Sequence, residues 1–580
     1  MRIYHHITAI FQGKTSQVFL LTQHFFRRLF INDIISFEDL MKEKVVGLLA
    51  LIAVLSAVFG DFLISRYMFI RDMSPAWVEM CFFISYLMVL MGILAVIEWD
   101  VFLPDKRDYA NLIPLPVKFR QLLLAKFASL FAFVSLFAVA GNVLAIFVFS
   151  YYLVLLPSKS LIEVFRFAGA LALGFFAAEF CAFFSLILIM GFLMTVFKPR
   201  AYEVVSLGFR ALVIMVFIFL MLAMITSFFS IPELDFLLKL KANDSPYLYL
   251  LPPMWFVGLI KSIMGVKDPL FSQLSVLAWI SLIVLALSFF VFAFTGYRRQ
   301  LAGMLDVKKK HVKYFPMGKF LSSLFHKVFL KNPIQKAVFH FFRKTIWKSA
   351  HHRMGLALHT SVAAALSLLL FAYMIFERQN LHEVNATMLS FTLIFYTLLI
   401  MGAKSLVDTP ASLEANWIFR ITEKKNKKPY ITGLKKGVFV VILFPVFVFF
   451  VIFFVFLWGL KISFLHNLFS LFVSLFLMEV FFGRYHKVPF TCPSVPGKSR
   501  VHLWWFFYAI GFFLYLEILC RLEVFLLKNP RGFFVFYTVL IGFFLIFKFL
   551  QAILSQKDFS LIFDEKPPSV MISLVNPEEE

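Results

Sequence analysis

Apolar residues in this chain are gathered into runs long enough to cross a bilayer, and polar residues are confined to the stretches between them. A helix needs roughly 20 apolar residues to span the hydrocarbon layer. Counting such runs predicts about twelve spans. The first six are 45–65, 77–98, 127–155, 167–197, 206–230 and 273–295, and the second six are 355–375, 387–404, 437–459, 463–482, 503–522 and 533–552. The run at 167–197 is longer than a perpendicular helix needs, so it is expected to tilt strongly or to include an interfacial turn. A β-barrel would alternate polar and apolar residues strand by strand, whereas 81 Phe against 24 Gly argue for long helices facing lipid. The fold class read from the pattern is all-α, a polytopic helical membrane protein with two six-helix halves.

Between the second and third runs of each half lies a polar segment, and the two segments echo one another. The first, Phe102 to Lys126, contains Ala110, Asn111, Leu112 and Ile113; the second, Asp408 to Lys436, contains Ala415, Asn416, Trp417 and Ile418. Each has an acidic residue just before the shared core and a basic stretch leading into the next apolar run. Matching positions in two halves are where a duplicated six-span unit would put them, and parallel duplication is a common way to build a transporter. The second copy has Phe419-Arg-Ile421 where the first has Pro114-Leu-Pro116, so the two segments are not interchangeable.

Composition agrees with the span reading. Hydrophobic residues make up 61% of the chain and charged ones 15%, with a mean hydropathy of +0.87, where a soluble domain is nearer half apolar and a quarter charged. The net charge of +23 is concentrated in loops. The segment 296–354 carries Lys and Arg from Arg298 to Arg353 against a single acid, Asp306, which marks it as cytoplasmic. Alternation from there places both echoed segments, the 483–502 loop and both termini on the cytoplasmic side, in a plasma membrane of the bacterial inner-membrane kind. The basic charge is therefore read as topogenic, with the bilayer as its partner and not nucleic acid. The organisation expected is an amphipathic N-terminal segment (1–44), a first transmembrane half (45–295), a basic linker (296–354), a second half (355–552) and a C-terminal tail (553–580). Residues 15–44 mix Phe, Leu and Ile with Arg27, Arg28, Asp33, Glu38 and Lys42 at helical spacing, and should lie along the interface. The longest loop on the opposite side, 231–272, holds Pro252 and Pro253, which are expected to break any helix there, and Trp255, which suits an interface, so a short re-entrant or interfacial element is expected before the sixth span.

Motifs for chemistry are missing. A nucleotide-binding P-loop needs Gly-x4-Gly-Lys-Ser/Thr between strand and helix; Gly13-Lys14-Thr15 has Thr8 and Gly497-Lys498-Ser499 has Cys492 where the first Gly belongs. No HExxH, GxSxG or CxxC is present, so no catalytic residue, metal site or cofactor is expected. His351 and His352 are read as solvated or at headgroup level. Ionisable residues inside spans mark pathways because they are costly there. Glu179 stands near the middle of the fourth span, and is read either as a structural partner to a neighbouring helix or as the lining of a substrate pathway. Glu517 lies within the eleventh span, and Glu79, Asp100, Arg210, Lys404 and Glu479 stand near ends, where they can snorkel.

The stretch Pro104-Asp-Lys-Arg-Asp-Tyr-Ala-Asn-Leu-Ile-Pro-Leu-Pro116 followed by Leu122-Leu-Leu-Ala-Lys126, set between the second and third of six spans after an amphipathic segment, resembles the permease subunits of type-2 ABC exporters. The resemblance implies a transport subunit that is not itself an enzyme and is coupled to a separate ATPase, in two copies. It implies that Asp105, Lys106, Arg107, Asp108 and Asn111 make polar contacts with one ATPase protomer, with Leu112 and Ile113 as the apolar insert. Glu414, Asn416, Trp417 and Ile418 would engage the other. The second half departs from the family pattern in the short loop expected before its last span, near Glu523 to Arg531. Two other readings remain open from the residues alone: an ion-coupled secondary transporter or lipid flippase dependent on Glu179, and a membrane-embedded transferase, for which no carboxylate or His cluster stands out.

Overall fold

The structure is a computed structural model, and it describes residues 17–30, 38–68, 74–99, 118–156, 160–228, 234–305, 330, 332–411, 428–483, 485, 488–491, 501–529 and 531–554. Nearly all of the described residues are helical, and none of them is in a strand. The helices fall into two compact units that part between Lys309 and Lys310.

In the first unit an amphipathic helix, α1 (Gln17–Phe30), precedes α2 (Glu38–Ile64), α3 (Trp77–Ile97) and α4 (Phe119–Ser150). The last of these ends in a turn of π-helix, Tyr151–Leu155. Then come α5 (Leu161–Val196), α6 (Pro199–Phe228), two short helices, α7 (Leu234–Ala242) and α8 (Pro252–Ile263), and α9 (Pro269–Leu305). The long fourth run is one unbroken helix of 36 residues, about 54 Å long, started by Ser160, whose hydroxyl accepts from the Glu163 N–H. Pro252 and Pro253 do not end a helix: they occupy the first positions of α8. There the missing N–H groups cost nothing and the fixed φ suits the helix. The buried face of α8 packs closely on its neighbours, for a Cβ on Gly258 would lie 2.8 Å from the Phe271 carbonyl oxygen.

The second unit opens with another amphipathic helix, α10 (Pro333–Lys348), then α11 (Ala350–Phe376), α12 (Ala386–Val407) and α13 (Lys428–Val438). Asn332, Ser349 and Asn385 cap the first three by accepting backbone N–H groups with their side chains, which satisfies donors that a helix start otherwise leaves unpaired. A π-turn, Phe439–Leu443, joins α13 to α14 (Phe444–Phe482), and α15 (Val501–Lys528) and α16 (Arg531–Leu554) follow.

Among the described residues ten helices are long and apolar enough to cross a membrane, and one of them, Lys428–Phe482, covers two expected spans. Gly459 divides it, with φ 78° and ψ 171°, a conformation that L side chains avoid. The chain turns back on itself there. Ser463 donates to the Val451 carbonyl at 2.9 Å, although twelve residues along a straight helix would separate them by about 18 Å. The expected 503–522 span lies within α15, which runs on to Lys528.

The two units repeat one plan. The second span is the most enclosed in each, with 61% of the apolar stretch of α3 and 72% of that of α12 buried. Each packs on the fourth and fifth spans of its own unit. The amphipathic helix of each unit lies on the foot of the third span, α1 on α4 and α10 on α13. In the first unit the contact is Phe25 against Leu122 and Ala125, with the Lys126 ammonium 5.1 Å from the Phe25 ring centre. In the second it is closer. A Cβ on Gly433 would sit 2.8 Å from the Gln335 carbonyl oxygen, and one on Gly437 2.8 Å from the Phe342 ring, so this pair of glycines one turn apart sets the approach of α10.

Candidate functional site

All the sequence-predicted docking residues, Asp105, Lys106, Arg107, Asp108, Asn111, Leu112, Ile113, Glu414, Asn416, Trp417 and Ile418, lie outside the described residues, as does Asp100. What the structure gives is the framework at the base of each segment. In the first unit the indole N–H of Trp99, a residue 1% exposed at the end of α3, donates to the Tyr202 hydroxyl at 3.0 Å. That bond ties the exit of the second span to the start of α6.

In the second unit the exit of α12 is held from three sides. Phe490 donates its backbone N–H to the Val407 carbonyl and accepts from the Ala411 N–H, both at 2.9 Å. It does so with φ of 62°, a strained setting for a bulky residue that persists where surrounding contacts over-determine it. The Phe490 ring is buried against Phe341 and Phe342 of the amphipathic helix and against His352. His352 is not solvated as its basic surroundings suggest: it is 1% exposed. Its Nε2 lies 3.2 Å from the Thr409 carbonyl oxygen and its Nδ1 2.8 Å from the Ser349 hydroxyl. An N–H on Nε2 satisfies the carbonyl, which leaves Nδ1 to accept from the serine. The expectation fails because α11 begins at Ala350 and turns this histidine into the junction of α10, α11 and α12.

Within the spans, each unit has a buried polar centre anchored on its fourth span. In the first, Glu179 of α5 is fully enclosed, and Asn142 of α4 donates to its Oε2 at 2.6 Å. Its Oε1 faces Gly141, where a Cβ would lie 3.4 Å from it and 3.8 Å from Ser56 Oγ of α2. Ser56 and Tyr86 of α3 are within 3.4 Å of one another, so four helices converge on this carboxylate. Among the described residues Glu179 Oε1 and Asn142 Oδ1 have no hydrogen-bond partner.

The second unit's centre was not legible from one sequence. His466, on the returning arm of α14, has its Nε2 2.8 Å from Thr392 Oγ1 of α12 and its Nδ1 2.8 Å from Glu523 Oε1 of α15. All three residues are 0% exposed. Phe454 and Trp458 enclose the imidazole edge-on, with ring centres 4.8 and 6.0 Å away. Glu523 is expected in a short loop, but α15 continues past the end of the apolar run and carries it into the core. Glu517, the acid expected within that span, is exposed and pairs with Arg521 one turn along the same face of the helix. A histidine and a glutamate in otherwise apolar surroundings were the available signal, since such residues need partners.

Other acids expected to snorkel are also enclosed. Glu79 is 1% exposed and accepts from the Tyr67 hydroxyl at 3.1 Å. Glu479, at the end of α14, bridges Lys435 of α13 at 2.5 Å and Lys548 of α16 at 2.9 Å. Lys404 pairs with Asp408 at 3.2 Å and lies over the Tyr485 ring.

The first unit also has a cavity of about 350 Å³ between Cys81, Phe82 and Ser85 of α3, Met224 of α6, Leu237 of α7 and the start of α8. Its two polar side chains are small, and Ser85 donates to the Cys81 carbonyl, so the cavity offers an apolar wall. Nearby, Lys241 pairs with Asp268 at 2.7 Å and lies over the Phe271 ring. Partial burial pushes the Asp268 carboxyl up, but the Lys241 bond and the backbone N–H of Leu270 bring it below the ordinary carboxylate value. Among the described residues no group of three or more His, Cys, Asp or Glu is placed to hold a metal ion. No protein-family model, curated protein or solved structure matches the chain.

Proposed function

We propose that this chain is the membrane-spanning permease of an ATP-driven exporter, worked by a separate ATPase that docks on Phe102 to Lys126 in one half and on Asp408 to Lys436 in the other. The observation that carries the reading is the doubled plan around those segments. In both units the most enclosed span leads into the polar segment, the third span leads out of it, and an amphipathic helix lies on the foot of that third span. Such a foot passes force from a docked partner to the buried second span through packed elements. Asp105, Lys106, Arg107, Asp108 and Asn111, with Leu112 and Ile113, form the first contact, and Glu414, Asn416, Trp417 and Ile418 the second. The chain is set in a bacterial inner membrane with both termini cytoplasmic, in keeping with its basic 296–354 segment.

Affinity purification of the chain from its native membrane, a search for a co-purifying ATPase, and an ATPase assay of the two together in nanodiscs test this. Replacing Asn111 and Asn416 together by alanine is expected to abolish association; unchanged association and transport would sink the docking reading. The buried Glu179 favours a second reading, an ion-coupled secondary transporter, which requires transport without any ATPase and its loss in Glu179→Gln.

A further inference from the structure

The His466 centre is built for something that neither docking nor an apolar pathway uses. A carboxylate and an imidazole, each fully enclosed, are brought together by helices far apart in sequence and sealed by aromatic rings. Such a pair is costly unless its charge is balanced and its hydrogen bonds are made. We propose that Thr392, His466 and Glu523 form a proton-binding centre, in which one exchangeable proton balances the charge of the site and its release loosens the junction of α12, α14 and α15.

The geometry serves both states. With the proton bound, the imidazolium donates through Nδ1 to Glu523 and through Nε2 to the Thr392 oxygen, and the pair is net neutral. When the Nε2 proton leaves for water, that nitrogen becomes an acceptor and the Thr392 hydroxyl rotates to donate to it. The Nδ1–H to Glu523 bond is kept, and the site carries one negative charge. A hydroxyl is the side chain that donates or accepts at one position, and its 2.8 Å distance to Nε2 suits either role.

The surroundings do little to stabilise the charged state. Glu523 Oε2 has no hydrogen-bond partner among the described residues. The titratable groups within electrostatic reach are Cys520 on α15 and Tyr537 on α16, with Glu517 acting on Cys520. Tyr515 on α15 faces Thr397 of α12, Asn467 on α14 bonds its own helix at Ser463, and Phe454 and Trp458 of the first arm bring no charge. Loss of the proton therefore leaves a carboxylate with a single donor in a low-dielectric setting. The Glu179 centre differs, because the residue donating to its carboxylate is an amide.

The test uses the full chain in nanodiscs. Thermal unfolding and hydrogen/deuterium-sensitive infrared difference spectra are followed from about pH 5 to about pH 10. The wild type is expected to show one protonation step per chain, with imidazole and carboxylate bands moving together. In H466Q the step is lost, and in E523Q the carboxylate bands are lost with it. Should these two variants fail to fold, Thr392→Val keeps the ion pair and removes only the hydroxyl. It is expected to shift the midpoint of the step while the chain stays folded. A wild-type spectrum without paired imidazole and carboxylate changes, or a T392V profile that overlays the wild type, would overturn the proposal. Neither readout depends on transport or on an ATPase.

Discussion

Each buried polar centre draws one residue from the fourth span of its unit, Glu179 in the first and His466 in the second, and the two differ in what faces the carboxylate. Glu179 meets an amide and two hydroxyl-bearing helices, whereas Glu523 meets an imidazole that is itself held by a threonine. An amide is a neutral partner whose hydrogen bond survives if the acid is replaced by glutamine. An imidazole pairs by charge as well as by geometry, and loses both when the carboxylate goes. The carboxylate stands on the fourth span in one unit and on the fifth in the other, so that one unit holds a hydrogen bond to an amide where the other holds a carboxylate–imidazole pair.

The largest difference is expected from the two glutamate-to-glutamine changes. Glu523→Gln strips the charge partner from an enclosed imidazole and should destabilise the chain by about 3–5 kcal/mol. Glu179→Gln leaves an acceptor opposite Asn142 and should cost about 1 kcal/mol or less. Unfolding temperatures in detergent measure both, and equal costs would erase the distinction between the centres.

Next come the feet of the third spans. Gly433→Ala places a methyl against the Gln335 carbonyl and should cost about 1–3 kcal/mol through overpacking. In the first unit the contact beneath the amphipathic helix is made by an alanine, Ala125, and Ala125→Gly should cost only about 1 kcal/mol. Proteolysis rates of α10 and α1 report the two effects separately.

Smaller still are the single changes around Glu479. With two lysines on one carboxylate, Lys435→Met or Lys548→Met alone should cost about 1 kcal/mol, because the remaining lysine keeps the charge paired. The double variant should exceed their sum, a coupling that a double-mutant cycle on thermal stability measures directly. The first unit is expected to lose least, at Asp268. Its carboxyl is held below its unfolded value, so its contribution is present above about pH 4 and is lost as the pH falls through the lower, folded value. The pair is partly exposed, which limits the effect to under about 1 kcal/mol. Asp268→Asn should flatten that acid limb of the stability curve and lower stability near neutrality by the same small amount.

How much of this could be read along the chain follows from how local each cause is. Span positions were legible because hydrophobicity is a property of contiguous residues; even the turn inside Lys428–Phe482 was marked by a break in the apolar run at Gly459-Leu-Lys-Ile462. Glu179 was legible as a costly acid in the middle of a run. Glu523 was not, since it stands at the ragged end of a run where a helix and a loop read alike, and only the continuation of α15 buries it. His352 and Pro252 were misread for the same reason: a local signal, basic surroundings in one case and helix-breaking in the other, was outweighed by where the neighbouring helix began.

By itself the sequence determined an all-helical, multi-pass membrane chain in which polar segments recur at matching positions, because the bilayer selects on composition over each run of about 20 residues. Only the tertiary structure decided that Thr392, His466 and Glu523, separated by 74 and 57 residues, meet in one core. The same holds for the choice of Asn142 as the partner of Glu179 and for the foothold of each amphipathic helix on a third span. Those are pairings between faces of different helices, and a buried polar group is specified by the partner that packing brings to it, which no single run of residues encodes.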